Sequence, residues 1–219
     1  MTILIAAATE FEMQAFAVAE REDAFILRLL TGVGPMETAF ALTSLLDRYA
    51  GQINAVVNFG IAGVYPDKAA GLLDICLAEQ EVLGDLGLWL PERIERFAER
   101  GLEVKDRFVL DLRLRRVTEH ALQQAGLVCQ TGTFVTVNCA SGTEARARIL
   151  GQQFQGLCEN MEGAAVARVC EAFGLPCVEL RCISNMAGER DKQKWQLREA
   201  CSRAGKAAAA AVSSLLRQD

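Results

Sequence analysis

From Thr2 to Ala8 the chain is a continuous run, apolar after its first residue, that ends in three alanines. A strand-length segment with no polar alternation has to bury both of its faces, so it belongs inside a sheet that is covered on its two sides. Asn54 to Phe59 reads as another buried strand, and Cys177 to Ile183 as a third. Ala24 to Leu30 and Leu72 to Leu83 add two more, and Leu127 to Asn138 reads as two short β pieces around Gly132.

Helical patterns lie between these runs. Thr9 caps a short helix over residues 10–16, and Pro35 after Thr31-Gly32-Val33-Gly34 starts a helix that continues from Met36 to Tyr49. Val117 to Gln124, Glu144 to Leu150, Met161 to Phe173 and the alanine-rich stretch from Lys194 to Arg217 supply the rest. In Met161 to Phe173 the stripe Ala165, Val169 and Phe173 defines the buried face, and Gly174 stops the helix. Gly60-Ile61-Ala62-Gly63 reads as a glycine turn that lets backbone approach a ligand. Residues 89–116 read as an irregular surface segment containing a short exposed helix through PERIERFAERG that ends at Gly101. The expected fold is α/β, a mixed central sheet flanked by helices on both sides. A length of 219 residues with 51% hydrophobic content suits one domain, 1–219, with no repeat or linker.

Charge and cysteine usage exclude several classes of function. The net charge is −5 and the basic residues are scattered, which leaves no footprint for nucleic acid or an anionic membrane. No stretch approaches the ~20 apolar residues of a membrane span, and Glu10 and Glu12 interrupt an opening run that lacks a basic start. Eight cysteines contain no Cys-x-x-Cys pair, and His120 is the single histidine, so the thiols read as reduced and buried in a cytoplasmic protein. No metal site and no cofactor is implied, and a small molecule is the expected partner.

The groups that could carry chemistry fall at strand ends and helix starts, the rim where open α/β sheets hold ligands. Glu12 follows the first strand, Glu162 opens a helix, and Ser184 and Asn185 close a later strand. Each also has a structural reading: an acid in a first turn stabilises its helix, and asparagine after a strand forms turns. Gly32-Val33-Gly34 lacks the third glycine and the lysine or serine of a phosphate loop, and reads as a tight turn.

The opening ILIAAATEFE, Gly32-Val33-Gly34, NFGIAG at Asn58 to Gly63, ENMEGAA at Glu159 to Ala165 and RCISN at Arg181 to Asn185 occur in an order that resembles the purine nucleoside phosphorylase/hydrolase superfamily. The resemblance is greatest to the bacterial nucleosidases that cleave methylthioadenosine and adenosylhomocysteine, and among these to the futalosine hydrolases. Residues 89–116 match no motif of that family.

The resemblance implies cleavage of a ribose–purine bond through an oxocarbenium-like transition state. It makes Glu162 the acceptor of ribose hydroxyls, sets Met161 against the sugar, and gives Glu12 the attacking water as general base. Gly60, Ile61, Ala62 and Ser184 line the substrate site in this scheme. Phe134 is the candidate for stacking on the purine, and Asp191 the candidate proton donor or, equally, a cap for the terminal helix. Arg190 and Lys192 are candidates for a substrate carboxylate. Where the methylthioadenosine enzymes carry an aspartate, this chain has Asn185, which cannot act as an acid but can donate to nitrogen 7 or a 6-oxo group. That departure implies a 6-oxopurine substrate such as futalosine, a step toward menaquinone. No cation lies in the loops after the first strand or at residues 32–36, which favours water over phosphate as nucleophile. Alternatives are an inosine or methylthioadenosine hydrolase or phosphorylase, and a nucleoside-binding protein without turnover. Family members assemble as homodimers or larger oligomers.

Overall fold

The computed structural model describes residues 1–18, 25–49 and 51–217. β1 (Thr2–Ala7) divides its side chains between two cores, with Ile3, Ile5 and Ala7 in one and Leu4 in the other. It pairs in parallel with β2 (Phe25–Leu30) and β3 (Ala55–Val64). Ala24, the expected first residue of the second strand, lies outside the described residues.

β3 does not turn at Gly60. It runs on to Val64, so the expected glycine turn is in fact the second half of a ten-residue strand. The glycine serves another need there: a Cβ on Gly60 would stand 2.4 Å from Glu12 Oε1 and 2.7 Å from Arg181 Nη1. Bare backbone leaves room for both side chains beside the strand.

The remaining strands are β4 (Ile75–Leu83), β5 (Gly87–Trp89), β6 (Ile94–Arg96), β7 (Arg107–Val109), β8 (Cys129–Thr136), β9 (Gly156–Asn160) and β10 (Cys177–Met186). β10 follows the free edge of β3 in parallel and pairs with β4 on its other side. β4 continues through β8 and β9 back to the end of β3, so β10, β4, β8, β9 and β3 close into a ring. β9 was not foreseen, and β8 is one strand rather than two pieces.

The helices are α1 (Glu10–Met13), α2 (Pro35–Arg48), α3 (Leu112–Gln124), α4 (Glu144–Gln153), α5 (Gly163–Ala172) and α6 (Leu197–Leu215). Met13, Leu114, Leu122 and the alanines of α6 pack on the face of β1, β3 and β10 that carries Ile3, Val57 and Leu180. Leu42 and Leu46 of α2 and Ala164, Val166 and Val169 of α5 cover the opposite face. Ala204, Ala207, Ala208 and Ala211 are fully buried, and their small side chains bring α6 close to the sheet. No helix among the described residues is long and apolar enough to cross a membrane.

Residues 89–116 also differ from expectation. β5 and β6 form a hairpin, and of the expected short helix only Phe97–Arg100 coil, as one 3-10 turn ending at Gly101. Ile94 is buried, and the Gln153 side chain bonds both its N–H and its C=O, which holds that stretch extended. α3 begins five residues before the expected start, where Asp111 accepts the Leu114 N–H as N-cap.

Candidate active site

A cavity of about 400 Å³ opens where β1, β3, β9 and β10 end, and Glu12, Ile61, Met161, Glu162, Arg181 and Asn185 are among its walls. Glu12 is placed by its own helix. Thr9 caps α1, its hydroxyl oxygen accepting the Glu12 N–H, while Glu12 Oε2 receives the Thr9 N–H at 3.1 Å and sits 2.8 Å from the Thr9 hydroxyl. Glu12 Oε1 accepts the Ile61 N–H at 3.1 Å. The capping box therefore turns a buried carboxylate inward toward β3.

Glu162 differs from the expected first-turn acid. It occupies the N-cap position of α5, yet its side chain makes no bond to that helix. The helix start is organised by Asn160, whose Oδ1 accepts the N–H groups of Glu162 and Gly163 at 2.9 and 2.8 Å. Freed from capping, Glu162 Oε1 takes the Gly34 N–H at 3.2 Å. Gly34 has φ of 95°, a left-handed conformation that glycine adopts without strain. The glycine turn before α2 thus aims a donor at a site carboxylate. Burial raises the Glu162 pKa above the ordinary glutamate value, with Arg181 and the Gly34 N–H acting against that rise.

Arg181 was legible only as part of a motif, and it is the cation that organises the site. It is 1% exposed, with Nε 2.8 Å from Glu179 Oε1 and Nη1 3.4 Å from Glu162 Oε2. Burial opposes its charge, but Glu179, Glu162 and Glu12 around it more than offset this and raise its pKa above that of an ordinary arginine. Behind it stands a second carboxylate, Glu81, which accepts from Thr136 Oγ1 and Asn160 Nδ2, each at 2.7 Å. Glu81 Oε1 and Glu179 Oε2 both lie within 2.3 Å of the point where a Cβ of Gly163 would be. Burial first, and Glu179 second, push the Glu81 pKa well up, with Thr136, Arg181 and Asn160 acting against that rise. A charged residue inside an apolar strand run was the signal for all three, since such residues are buried only when paired.

On the other wall, the register of β10 against β3 shifts between Ile183 and Asn185. Asn185 Oδ1 accepts the Ser184 hydroxyl at 2.7 Å, and Nδ2 donates to Met186 O at 2.9 Å. Ile61, Ala62, Met161 and Ser184 line the cavity with it, whereas Gly60 lies beneath, as the gap between Glu12 and Arg181.

Two expected positions fall elsewhere. Phe134 is fully buried, packed in the core with Leu157, Cys158 and Val166, because its place in β8 directs it under α5 rather than into the cavity. Asp191 is exposed and accepts the Gln193 N–H at 3.1 Å as N-cap of the 3-10 turn Lys192–Lys194, so it caps that turn and not the terminal helix, whose N-cap is Gln196. Arg190 borders the cavity, its guanidinium 5.3 Å from the centre of the Trp195 ring, and Lys192 does not. All eight cysteines are free thiols, and no group of three or more potential metal ligands occurs among the described residues.

Residues 6–217 match the family model described as the phosphorylase superfamily. Futalosine hydrolase of Thermus thermophilus is 37% identical over 194 residues, which is 87% of this chain and 81% of that protein. Futalosine hydrolase of Streptomyces coelicolor is 32% identical over 177 residues, 78% of this chain and 72% of that one. Among solved structures, a mutant of futalosine hydrolase from Helicobacter pylori strain 26695 superposes with a TM-score of 0.83 at 21% identity, covering 97% of this chain and 98% of that one. That likeness shows a shared fold.

Proposed function

The chain belongs to the phosphorylase superfamily, and on that premise we propose that it hydrolyses the N-glycosidic bond of futalosine to hypoxanthine and dehypoxanthinylfutalosine, in menaquinone biosynthesis. The relatives named futalosine hydrolase support the substrate. The observation that carries the chemistry is the convergence of Glu12 and Glu162 on the buried Arg181 beneath one cavity.

In this reading Glu162 accepts the ribose hydroxyls, and its charge favours the cation that develops as the bond to the base breaks. The Gly34 N–H and Arg181 hold it in place. Glu12 accepts a proton from the attacking water, which lies between Glu12 and the ribose, with Ile61 N–H and Thr9 fixing the carboxylate. Asn185 uses the amide hydrogen not spent on Met186 O to bond the base, which leaves with the electron pair of the broken bond and takes its proton from solvent. Ile61, Ala62, Met161 and Ser184 shape the pocket, and Arg190, laid on Trp195, faces the carboxylate arm of the nucleoside. Arg181 is already committed to Glu179 and Glu162, which leaves little positive charge for a phosphate and supports water as the nucleophile.

The protein works in this account as one cytoplasmic domain, 1–219, that forms a homodimer or larger oligomer. Met36 and Phe40, one turn apart on α2, are 83% and 72% exposed, and Val33 beside them borders the cavity mouth. Such an apolar face suits a second copy that covers the site. Turnover in ¹⁸O-labelled water tests the chemistry: label on the ribose carbon with no need for phosphate is expected. Dependence on phosphate, with a ribose 1-phosphate product, contradicts it.

A further inference from the structure

Glu162 is held at both ends, and its two supports lead to the same place. Its backbone N–H bonds Asn160 Oδ1 at 2.9 Å, and Asn160 Nδ2 donates to Glu81 Oε1 at 2.7 Å. Its carboxylate pairs with Arg181 Nη1 at 3.4 Å, and Arg181 Nε donates to Glu179 Oε1 at 2.8 Å. Glu81 and Glu179 are 0% and 1% exposed, and both reach the first residue of α5. That residue is Gly163, and Glu81 Oε1 and Glu179 Oε2 share the space that a Cβ on it would fill. A ring of polar contacts runs from Glu162 through Asn160 and Glu81, then from Glu179 through Arg181 back to Glu162. It lacks one link, between the two carboxyl groups.

We propose that Glu81 and Glu179 hold one proton between them, and that this O–H···O bond closes the ring and makes both of them positioning residues for Glu162. The inference rests on the reading of Glu162 as the carboxylate that takes the ribose hydroxyls. Glu179 Oε2 is shielded from solvent, yet it has no hydrogen-bond partner among the described residues. A buried carboxylate oxygen without a donor is costly, and two ionised carboxylates in one dry pocket repel each other. Charge balance points the same way. Glu12, Glu81, Glu162 and Glu179 surround Arg181, so with every acid ionised one cation would face four anions. A single proton on the pair removes the repulsion and supplies the donor that Glu179 Oε2 lacks.

The other bonds of the two side chains leave one place for that proton. Glu81 spends Oε2 on the Thr136 hydroxyl and one lone pair of Oε1 on Asn160, while Glu179 spends Oε1 on Arg181. Glu179 Oε2 and the second lone pair of Glu81 Oε1 remain. Burial and Glu179 raise the Glu81 pKa, which favours the protonated pair. A glutamine at 179 copies that state: its carbonyl takes the Arg181 Nε–H, its amide donates to Glu81 Oε1, and the total charge is that of two acids with one proton. The competing role makes Glu179 a plain counter-ion to Arg181 with both acids ionised. In that case the charge itself matters, and glutamine cannot stand in for it.

Infrared spectra of the substrate-free protein at about pH 7 test the proton. The C=O stretch of a protonated carboxyl is expected in the wild type, and it is expected to weaken in both Glu179→Gln and Glu81→Gln. Absence of the band from the wild type, a result that needs no variant, overturns the proposal, as does a band undiminished in either variant. Positioning is read from kcat for hypoxanthine release from futalosine. Glu179→Leu, which can neither hold Arg181 nor bond Glu81, is expected to lose at least about tenfold in kcat with a smaller change in KM, and Glu179→Gln to recover most of that loss. A glutamine variant as slow as the leucine variant is the signature of a counter-ion and overturns the proposal. The spectra need no substrate, so a protein that shows the proton yet releases no base from futalosine would remove the substrate and leave the pair.

Discussion

Gly60→Ala puts a single methyl group between the two halves of the site. Its carbon would stand 2.4 Å from Glu12 Oε1, 2.7 Å from Arg181 Nη1 and 3.2 Å from Glu12 Cδ. Ordinary contact is about 3.5 Å, so one of the two groups has to move by about 1 Å. Neither is a loose end. Glu12 is held by Thr9 and by the Ile61 N–H, and Arg181 is buried against Glu179. Moving Glu12 lengthens its bond to Ile61, and moving Arg181 draws it from Glu162. A misplacement of about 1 Å at a reacting group costs on the order of a hundredfold in rate, about 2.7 kcal/mol of barrier. Overpacking costs a further ~1–3 kcal/mol of stability. Initial rates of hypoxanthine release from futalosine, read beside urea unfolding, give both numbers. The loss is expected in kcat more than in KM. A variant within about threefold of wild type in kcat would show that the placing of Glu12 and Arg181 beside Gly60 is not part of the catalytic geometry.

Three further outcomes follow from the same structure. Burial and Glu179 raise the Glu81 pKa in the folded protein above the unfolded value of about 4.3, so wild-type stability is expected to fall as pH rises from there, with Glu179, Arg181, Thr136 and Asn160 facing the group. Glu81→Gln cannot ionise and should gain on wild type by up to about 1.4 kcal/mol per pH unit as pH rises above about 5; a stability difference that does not change with pH, read by urea unfolding, argues against a raised Glu81 pKa. Asn160→Ala removes the acceptor for two N–H groups at the start of α5 and should cost about 2–3 kcal/mol by thermal or urea unfolding, with a drop in activity as Glu162 loses its support. Replacing Met36 and Phe40 by glutamate should shift the protein to monomer in sedimentation and lower activity, whereas an unchanged sedimentation coefficient places any interface elsewhere.

The elements legible in the sequence are those whose side chains obey one period. β1, α2, the start of β10 and α5 follow an apolar run or stripe, and the structure places them within a few residues of expectation. The departures coincide with the site. β9 escaped notice because Glu159 and Asn160, two of its five residues, turn polar groups toward the cavity and the Glu81 carboxylate. Gly60 to Gly63 looked like a turn because a glycine needed for close approach inside a strand is indistinguishable, one residue at a time, from one needed for a bend. Glu12, Glu162 and Asn185 were found from their places at strand ends and by resemblance. Arg181 and Glu179 were read as strand residues, although two charges in an apolar run signal a buried pair. Phe134 shows the converse: an aromatic in a strand is more often core than base-stacking surface, and β8 buries it completely.

The central claim is that this cavity hydrolyses a 6-oxopurine nucleoside whose arm is that of futalosine. Side-by-side incubation of the purified protein with futalosine, inosine and methylthioadenosine, without phosphate and with the released base identified by chromatography, tests it most directly. Hypoxanthine from futalosine, at a kcat/KM at least about a hundredfold above adenine release from methylthioadenosine, is the expected result. Faster release of adenine from methylthioadenosine would contradict the account.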